Sequence, residues 1–233
     1  KVKSFDSLDS QDYGSPRWSQ HMLSGDVGST HQPIKFWVVS VNDITFIKNT
    51  YPTIPVVIYI HGGGFIGSFP VTERKLVSRW AEDTKALMVY IDYSYGSQAK
   101  SPTQLDECYR YVLQGKLGVK PASIVIVAES NGGALAAGVC LKAIEEDLKT
   151  PDGLVLGYPV LNFENTLTPS RTVFMMDPVV PMNLIRQCRS AYLPKHDNNV
   201  ASHPHTSPIM ASNQVLAKFP PTDIMVGGFD PFL

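Results

Sequence analysis

Three short stretches carry residues able to do chemistry together. The run Ile124-Val125-Ile126-Val127-Ala128-Glu129-Ser130-Asn131-Gly132-Gly133 is an apolar strand breaking into a turn of small residues with a serine at its apex. A serine hydroxyl is a weak nucleophile until a base takes its proton, and its attack on a carbonyl builds an oxyanion that needs preorganised donors. A strand-to-helix elbow holds such a side chain above a sheet, and only small neighbours fit so tight a turn. Ala128 and Gly132 fill the two small places. The second stretch, Val56-Val57-Ile58-Tyr59-Ile60-His61-Gly62-Gly63-Gly64-Phe65, is a β-branched run ending in three glycines, each costly to order unless a tight turn or a close backbone approach requires it. N–H groups of this loop, with that of Asn131, are the expected oxyanion donors, and a helix starting at the elbow adds its positive end. The third stretch, Thr222-Asp223-Ile224-Met225-Val226-Gly227-Gly228-Phe229-Asp230, is a strand running into a glycine turn with a carboxylate at its tip.

Each stretch alone has a plainer reading. Small-x-Ser-x-Gly also describes a serine at a helix N-cap, and a lone Asp230 is most often a turn residue. Three glycines after a strand also describe a phosphate loop, although the Lys-Ser/Thr ending of a P-loop and the G-x-G-x-x-G spacing of a dinucleotide loop are absent. Glycine loop, serine and carboxylate in that order, each at the C-terminal end of an expected strand, together read as a hydrolase-type site at the ligand-binding edge of an open sheet. Glu129 is expected to support the elbow through hydrogen bonds. Met175, Met176, His203 and His205 read as packing or surface residues.

The elements that must position these groups alternate. Residues 1 to about 33 lack a period and read as a partly ordered arm with a short helix at most. Phe36–Val41 and Ile44–Phe46 have strand composition and are split by the turn-like Asn42-Asp43, so an antiparallel pair is expected. A helix through Leu76, Val77, Trp80 and Ala81 then leads to a strand at 86–91. Ser101-Pro102 opens a helix whose stripe is Leu105, Cys108, Tyr109, Val112 and Leu113. After the serine, Ala134, Leu135, Gly138, Leu141, Ile144 and Leu148 mark a further one-sided helix, and 153–158 a strand. The alternation predicts an α/β fold with a mostly parallel sheet covered on both faces. From about 161 to 219 the pattern loosens into an insertion over the sheet's end, with a helix from Pro181 to Tyr192 (Ile185, Cys188 and Tyr192 on one side) and a polar loop at His196-Asp197-Asn198-Asn199.

With 233 residues and 43% hydrophobic content the chain can cover a substantial core. A formal charge of -1 without long runs of either sign gives no sign of a nucleic-acid groove or polybasic membrane patch. Cys108, Cys140 and Cys188 are odd in number and widely spaced, against a disulfide framework or a zinc site, and fit a reducing, intracellular setting. No apolar run approaches the roughly 20 residues that span a bilayer. The chain starts at Lys1 without a signal-peptide pattern, and a trimmed N-terminus is expected.

At these motifs the chain resembles the hormone-sensitive lipase family of α/β-hydrolases, nearer the lipases than the bacterial esterases, from about residue 34 to the end. His61-Gly62-Gly63-Gly64-Phe65 resembles the family's HGGG loop, Ile91-Asp92-Tyr93-Ser94 its DY segment, and Ser101–Tyr109 the helix that follows. Ala128–Gly133 is similar to the serine motif, which in the family reads Gly-Asp-Ser-Ala-Gly-Gly. Ser170–Tyr192 resembles the Met-Asp-Pro segment and cap helix, and 207–231 the acid-bearing strand. The resemblance implies an α/β-hydrolase fold in a single domain, 1–233, with cap contributions from about 1–33 and 161–219. It implies Ser130 as nucleophile, Asp230 as the acid that orients a histidine, and the N–H groups of Gly63, Gly64 and Asn131 as the oxyanion hole. The implied activity is hydrolysis of carboxylic esters with apolar acyl groups, of acylglycerol or sterol-ester type. No metal or organic cofactor is implied. The implied setting is cytoplasmic, with contact to a lipid droplet or membrane surface. Phe65, Tyr93 and Tyr95 are candidates for the acyl pocket.

In this fold the triad follows the order serine, acid, histidine. His21, His31, His61, His196, His203 and His205 all precede Asp230, so the histidine is expected beyond Leu233, together with a strand and helix. His203 or His205 is the one substitute considered. The same family resemblance includes a binding protein that keeps the serine and lacks the histidine, so a non-catalytic receptor or inactive relative stands as the alternative function.

Overall fold

The computed structural model describes residues 2–5, 16–23, 34–68, 70–114, 119–195 and 199–232. Its centre is a sheet of eight strands: β1 (Val2–Phe5), β2 (Arg17–Leu23), β3 (Ile34–Ser40), β4 (Ile54–Ile60), β5 (Leu87–Asp92), β6 (Pro121–Glu129), β7 (Gly153–Gly157) and β8 (Thr222–Met225), in the order β1-β2-β3-β5-β4-β6-β7-β8. From β5 to β8 all neighbours are parallel, whereas β1, β2 and β3 join antiparallel. This is the mostly parallel α/β sheet expected from the alternation.

The central strands bury both faces, which is why they read as unbroken β-branched runs rather than alternating ones. One face packs Val56, Ile58, Ile60, Val89, Ile91, Ile126 and Leu156 under α3 (Thr103–Gln114) and α4 (Asn131–Glu145). The other packs Tyr59, Met88 and Tyr90 against Val77 and Ala81 of α2 (Pro70–Thr84). Along α4 the buried set runs almost all round, from Asn131 through Ala143, and small residues let it sit close to the sheet. It ends at Glu145 with Asp147 in the left-handed region (φ 53°) and Leu148 donating back to the Ala143 carbonyl at 2.8 Å. Such a cap closes the helix early, so Leu148, expected on the buried stripe, is exposed instead.

Two expectations fail in the N-terminal part. Ile44–Phe46 is not a strand: α1 (Ile44–Thr50) begins there, because the Asp43 carboxylate accepts from the N–H groups of Thr45 (2.7 Å) and Phe46 (3.4 Å). An aspartate in that place caps a helix N-terminus and outweighs a three-residue strand propensity. The partners of β3 are instead β2 and β5. Residues 17–23 are thus a sheet strand rather than an arm or a cap contribution, and 2–5 pair beside them; the rest of 1–33, apart from residue 16, lies outside the described residues. Trp18 anchors β2, its Nε1–H donating to Ser78 Oγ at 2.9 Å and the Arg74 guanidinium lying 4.9 Å over its ring.

Between β7 and β8 the chain makes the expected insertion, with α5 (Pro169–Val173), α6 (Met182–Tyr192), two 3-10 turns and α7 (Asn213–Leu216). Buried Arg171 ties it together, donating to the carbonyls of Asn162, Glu164 and Thr166. Of the polar loop expected at 196–199, residues 196–198 lie outside the described residues.

Candidate active site

The parallel register lines up the strand ends. Ile60 pairs with Ala128, Glu129 with Gly157, and Gly157 with Met225, so the glycine loop, Ser130, Tyr158 and the Asp230 turn all leave the sheet along one edge. Ser130 stands between β6 and α4 at φ 51° and ψ -126°, a conformation sparsely populated by side-chain-bearing residues. Three backbone bonds hold it there: its N–H donates to the Gly157 carbonyl at 3.0 Å, and its carbonyl accepts from Gly133 (3.0 Å) and Val160 (2.9 Å). Strain of this kind costs about 1–3 kcal/mol and persists only where the surroundings enforce it.

The glycines around the serine answer to close approach. A Cβ on Gly132 would strike the carbonyls of Ile60 and His61, and one on Gly133 would come 2.5 Å from Pro159 Cβ. A Cβ on Gly62 would stand 3.1 Å from Ser130 Cβ, so the glycine loop faces the serine directly. Gly63 (φ 101°) and Gly64 (φ 65°) take left-handed backbone. Beyond them the loop is clamped by Phe65, whose ring stacks on Tyr192 of α6 at 3.8 Å and whose carbonyl accepts from Gly96 N–H at 2.7 Å.

Asn131 has a role the sequence did not reveal. Its side chain is buried, its Oδ1 accepts from Gly64 N–H at 2.7 Å, and its Nδ2 donates to Tyr93 Oη at 2.9 Å. Tyr93 in turn donates to the His61 carbonyl at 2.8 Å. The Gly64 N–H, expected in the oxyanion hole, is therefore engaged by an amide oxygen. The one signal in the sequence was the Asn after the serine, where the resembled motif has Ala. Phe65 and Tyr93, expected along an acyl pocket, are fully buried core residues; of that trio Tyr95 is the partly exposed member, its hydroxyl 2.9 Å from Ser68 Oγ.

Glu129 supports the elbow as expected, its carboxylate accepting from Tyr59 (2.8 Å) and Tyr158 (2.5 Å). That carboxylate and burial both hold the two phenols above the usual tyrosine range, burial contributing most. Asp230 lies in the turn after β8, with Oδ1 accepting from Phe232 N–H at 2.8 Å. Its field also reaches Tyr158.

Of the histidines whose side chains are described, His61 lies at the glycine loop and His203 and His205 lie together in the insertion between β7 and β8. His61 is buried, stacked on Tyr93 (4.2 Å) and Tyr90 (5.4 Å), and its Nδ1 must carry the proton because it lies 2.7 Å from the Gly62 carbonyl. Burial pushes its pKa down, so the ring is neutral. His205 pairs with Glu145 at 2.8 Å and stacks edge-on with His203. Glu145 closes α4, fourteen residues past Asn131, which at the helical rise is about 21 Å from the serine. His203 and His205 therefore do not substitute as the base. Among the described residues no histidine is hydrogen-bonded to Ser130 or Asp230, and no cluster suited to a metal ion occurs.

A family model described as alpha/beta hydrolase fold matches residues 57–233. Hormone-sensitive lipase of Mus musculus is 33% identical over 142 residues, 59% of this chain and 19% of the lipase. The chain spans about a fifth of that relative's length. Two solved structures are similar at 27% identity. Carboxyl esterase 2 of Tuber melanosporum has a TM-score of 0.77 and covers 92% of this chain and 69% of its own. The hyperthermophilic esterase of the archaeon Pyrobaculum calidifontis has a TM-score of 0.78 and covers 94% and 68%. Since the matched stretch takes in the C-terminal end of β4, the glycine loop, the serine elbow and the Asp230 turn, the chain belongs to the alpha/beta hydrolase fold family.

Proposed function

We propose that this chain carries the site of a serine carboxylic-ester hydrolase acting on apolar acyl esters, of acylglycerol or sterol-ester type. The observation that carries the reading is Ser130 held at φ 51° on the elbow, with the glycine loop directly opposite. Its hydroxyl gives its proton to the base and attacks the ester carbonyl; the bond to the ester's alcohol oxygen breaks, the alcohol leaves with that proton, and water then hydrolyses the acyl-enzyme to the free acid and Ser130. The oxyanion is met by backbone N–H groups of the glycine loop and of Asn131. As the first residue of α4, Asn131 has no intrahelical acceptor for its N–H and sits at the helix's positive end. Asp230 is the acid that orients the base. The similarity to a named lipase and named esterases supports the ester class. The reading places this work in the cytoplasm at a lipid surface; exposed Leu167, Val173, Met176 and Val179 around α5 support the lipid contact, and among the described residues no helix is long and apolar enough to cross a membrane.

A fluorophosphonate probe tests the reading, because it labels an activated serine. Labelling of Ser130 in the full-length protein, lost in Ser130→Ala and accompanied by turnover of a medium-chain nitrophenyl ester, is the expected result. A folded protein that takes no label but binds an apolar ester would instead establish the second reading, a non-catalytic binding protein.

A further inference from the structure

We propose that the Asn131 carboxamide is a positioning residue. It clamps the glycine loop through Gly64 N–H and Tyr93, and so leaves Gly63 N–H and its own backbone N–H as the oxyanion donors. The inference rests on the hydrolase reading for its consequence, but the clamp itself rests on geometry.

Both ends of the amide are used. Oδ1 takes Gly64 N–H at 2.7 Å and Nδ2 gives to Tyr93 Oη at 2.9 Å. The Tyr93 hydroxyl passes the link to the His61 carbonyl at 2.8 Å, and more weakly to that of Gly62 at 3.4 Å. The chain of bonds therefore starts on the residue after the nucleophile and grips the loop on both sides of Gly63. Asn131 is 1% exposed and Tyr93 likewise 1%, so water does not compete for these groups. Gly63 and Gly64 both sit in left-handed backbone, where glycine has many alternatives and the loop needs an external restraint to hold one. An N–H already given to an amide oxygen at 2.7 Å is not free for an oxyanion. Removing the carboxamide thus loosens the loop and strands buried partners.

The test uses Asn131→Leu, which keeps the volume without an acceptor, Tyr93→Phe, which removes the anchor, and the double variant, all in the full-length protein. Expected are a fall of about 10²-fold in kcat for Asn131→Leu with KM within about twofold, as for a small misplacement of reacting groups. Hydrogen exchange, followed by mass spectrometry, is expected to quicken in the peptide spanning 61–65 and stay slow in β4 and α4. Tyr93→Phe is expected to show the same signs more weakly, and the double variant to lose little beyond the worse single, because the two act as one unit. Wild-type kcat in Asn131→Leu, or unchanged exchange at 61–65 in both single variants, would overturn the clamp. A fall in kcat matched by faster exchange throughout the chain would also overturn it, as general destabilisation. Should the wild-type protein turn over no ester, the hydrolase reading fails while the exchange result still decides the clamp.

Discussion

At Ser130 the unusual dihedrals are held by backbone bonds to Gly157, Gly133 and Val160, none of which involves the hydroxyl. Ser130→Ala is therefore expected to leave stability within about 0.5 kcal/mol. Turnover should drop to the roughly 10³–10⁴-fold advantage over water that oxyanion stabilisation and binding supply alone; denaturant melts and an ester assay on the same sample check both. His61 makes a pH prediction. Burial lowers its pKa below 6.5, opposed by the Gly62 carbonyl and the carboxylates of Asp92 and Glu129, while Tyr90, Tyr93 and Tyr95 face the ring. The folded protein thus holds the ring neutral while the unfolded chain takes up a proton below about 6.5. This contribution is full above that pH and lost as pH falls below it, by at most about 1.4 kcal/mol per pH unit for one proton. Asp92 and Glu107, raised by burial, hold protons more tightly when folded and so act in the opposite direction, in the carboxylate range. Melts from pH 8 to 5.5 are expected to show the His61 slope, and His61→Gln to flatten it.

On the scale of elements, the contact between the strand β4, its glycine loop and the helix α4 decides which glycines are replaceable. Gly132→Ala would drive a methyl into the backbone carbonyls of Ile60 and His61, neither of which can swing away. A loss of about 1–3 kcal/mol follows for an overpacked contact. Gly67, three residues past Gly64, meets nothing within 4 Å, so Gly67→Ala is expected to lie within about 0.5 kcal/mol of wild type. Comparing the two denaturation midpoints tests the account. Read from the motif alone, Gly63→Val is expected to cost activity more than stability. The structure adds a stability cost, since a Cβ there would strike the Gly67 carbonyl at φ 101°. The cap helix α6 bears on the same loop, with Cys188 Sγ in the place a Gly64 side chain would need.

Over the whole molecule the sheet is covered unevenly. β8 is exposed along its length, and Ile224, Met225, Val226 and Phe229 present apolar side chains at that edge, with Phe229 resting edge-on against Phe174. Exposed strand edges of this kind pair with other chains. Residues 1–233 expressed by themselves are therefore expected to self-associate with rising concentration. Ile224→Lys should shift it toward monomer in sedimentation velocity without lowering the melting temperature, because the side chain it replaces is half exposed. An unchanged sedimentation profile would show that β8 is not the associating edge.

The pattern of residues along the chain was enough for the strand and helix alternation, the elbow at Ser130 and the mostly parallel sheet. Each depends on local periodicity and on turns that only small residues can make. Tertiary contact decided the rest. Ile44–Phe46 joined a helix because a single carboxylate at Asp43 caps two N–H groups. Residues 17–23 became a strand because β3 offered a pairing edge further along the chain, Arg17 facing Ser40 and Leu23 facing Ile34, which no local window reveals. Phe65 turned inward against the cap helix and Tyr93 inward against His61, and Gly64 N–H went to a side chain 67 residues further along. Strand endings can be read from one stretch at a time, but the partner of a backbone N–H depends on which stretches the sheet register sets side by side.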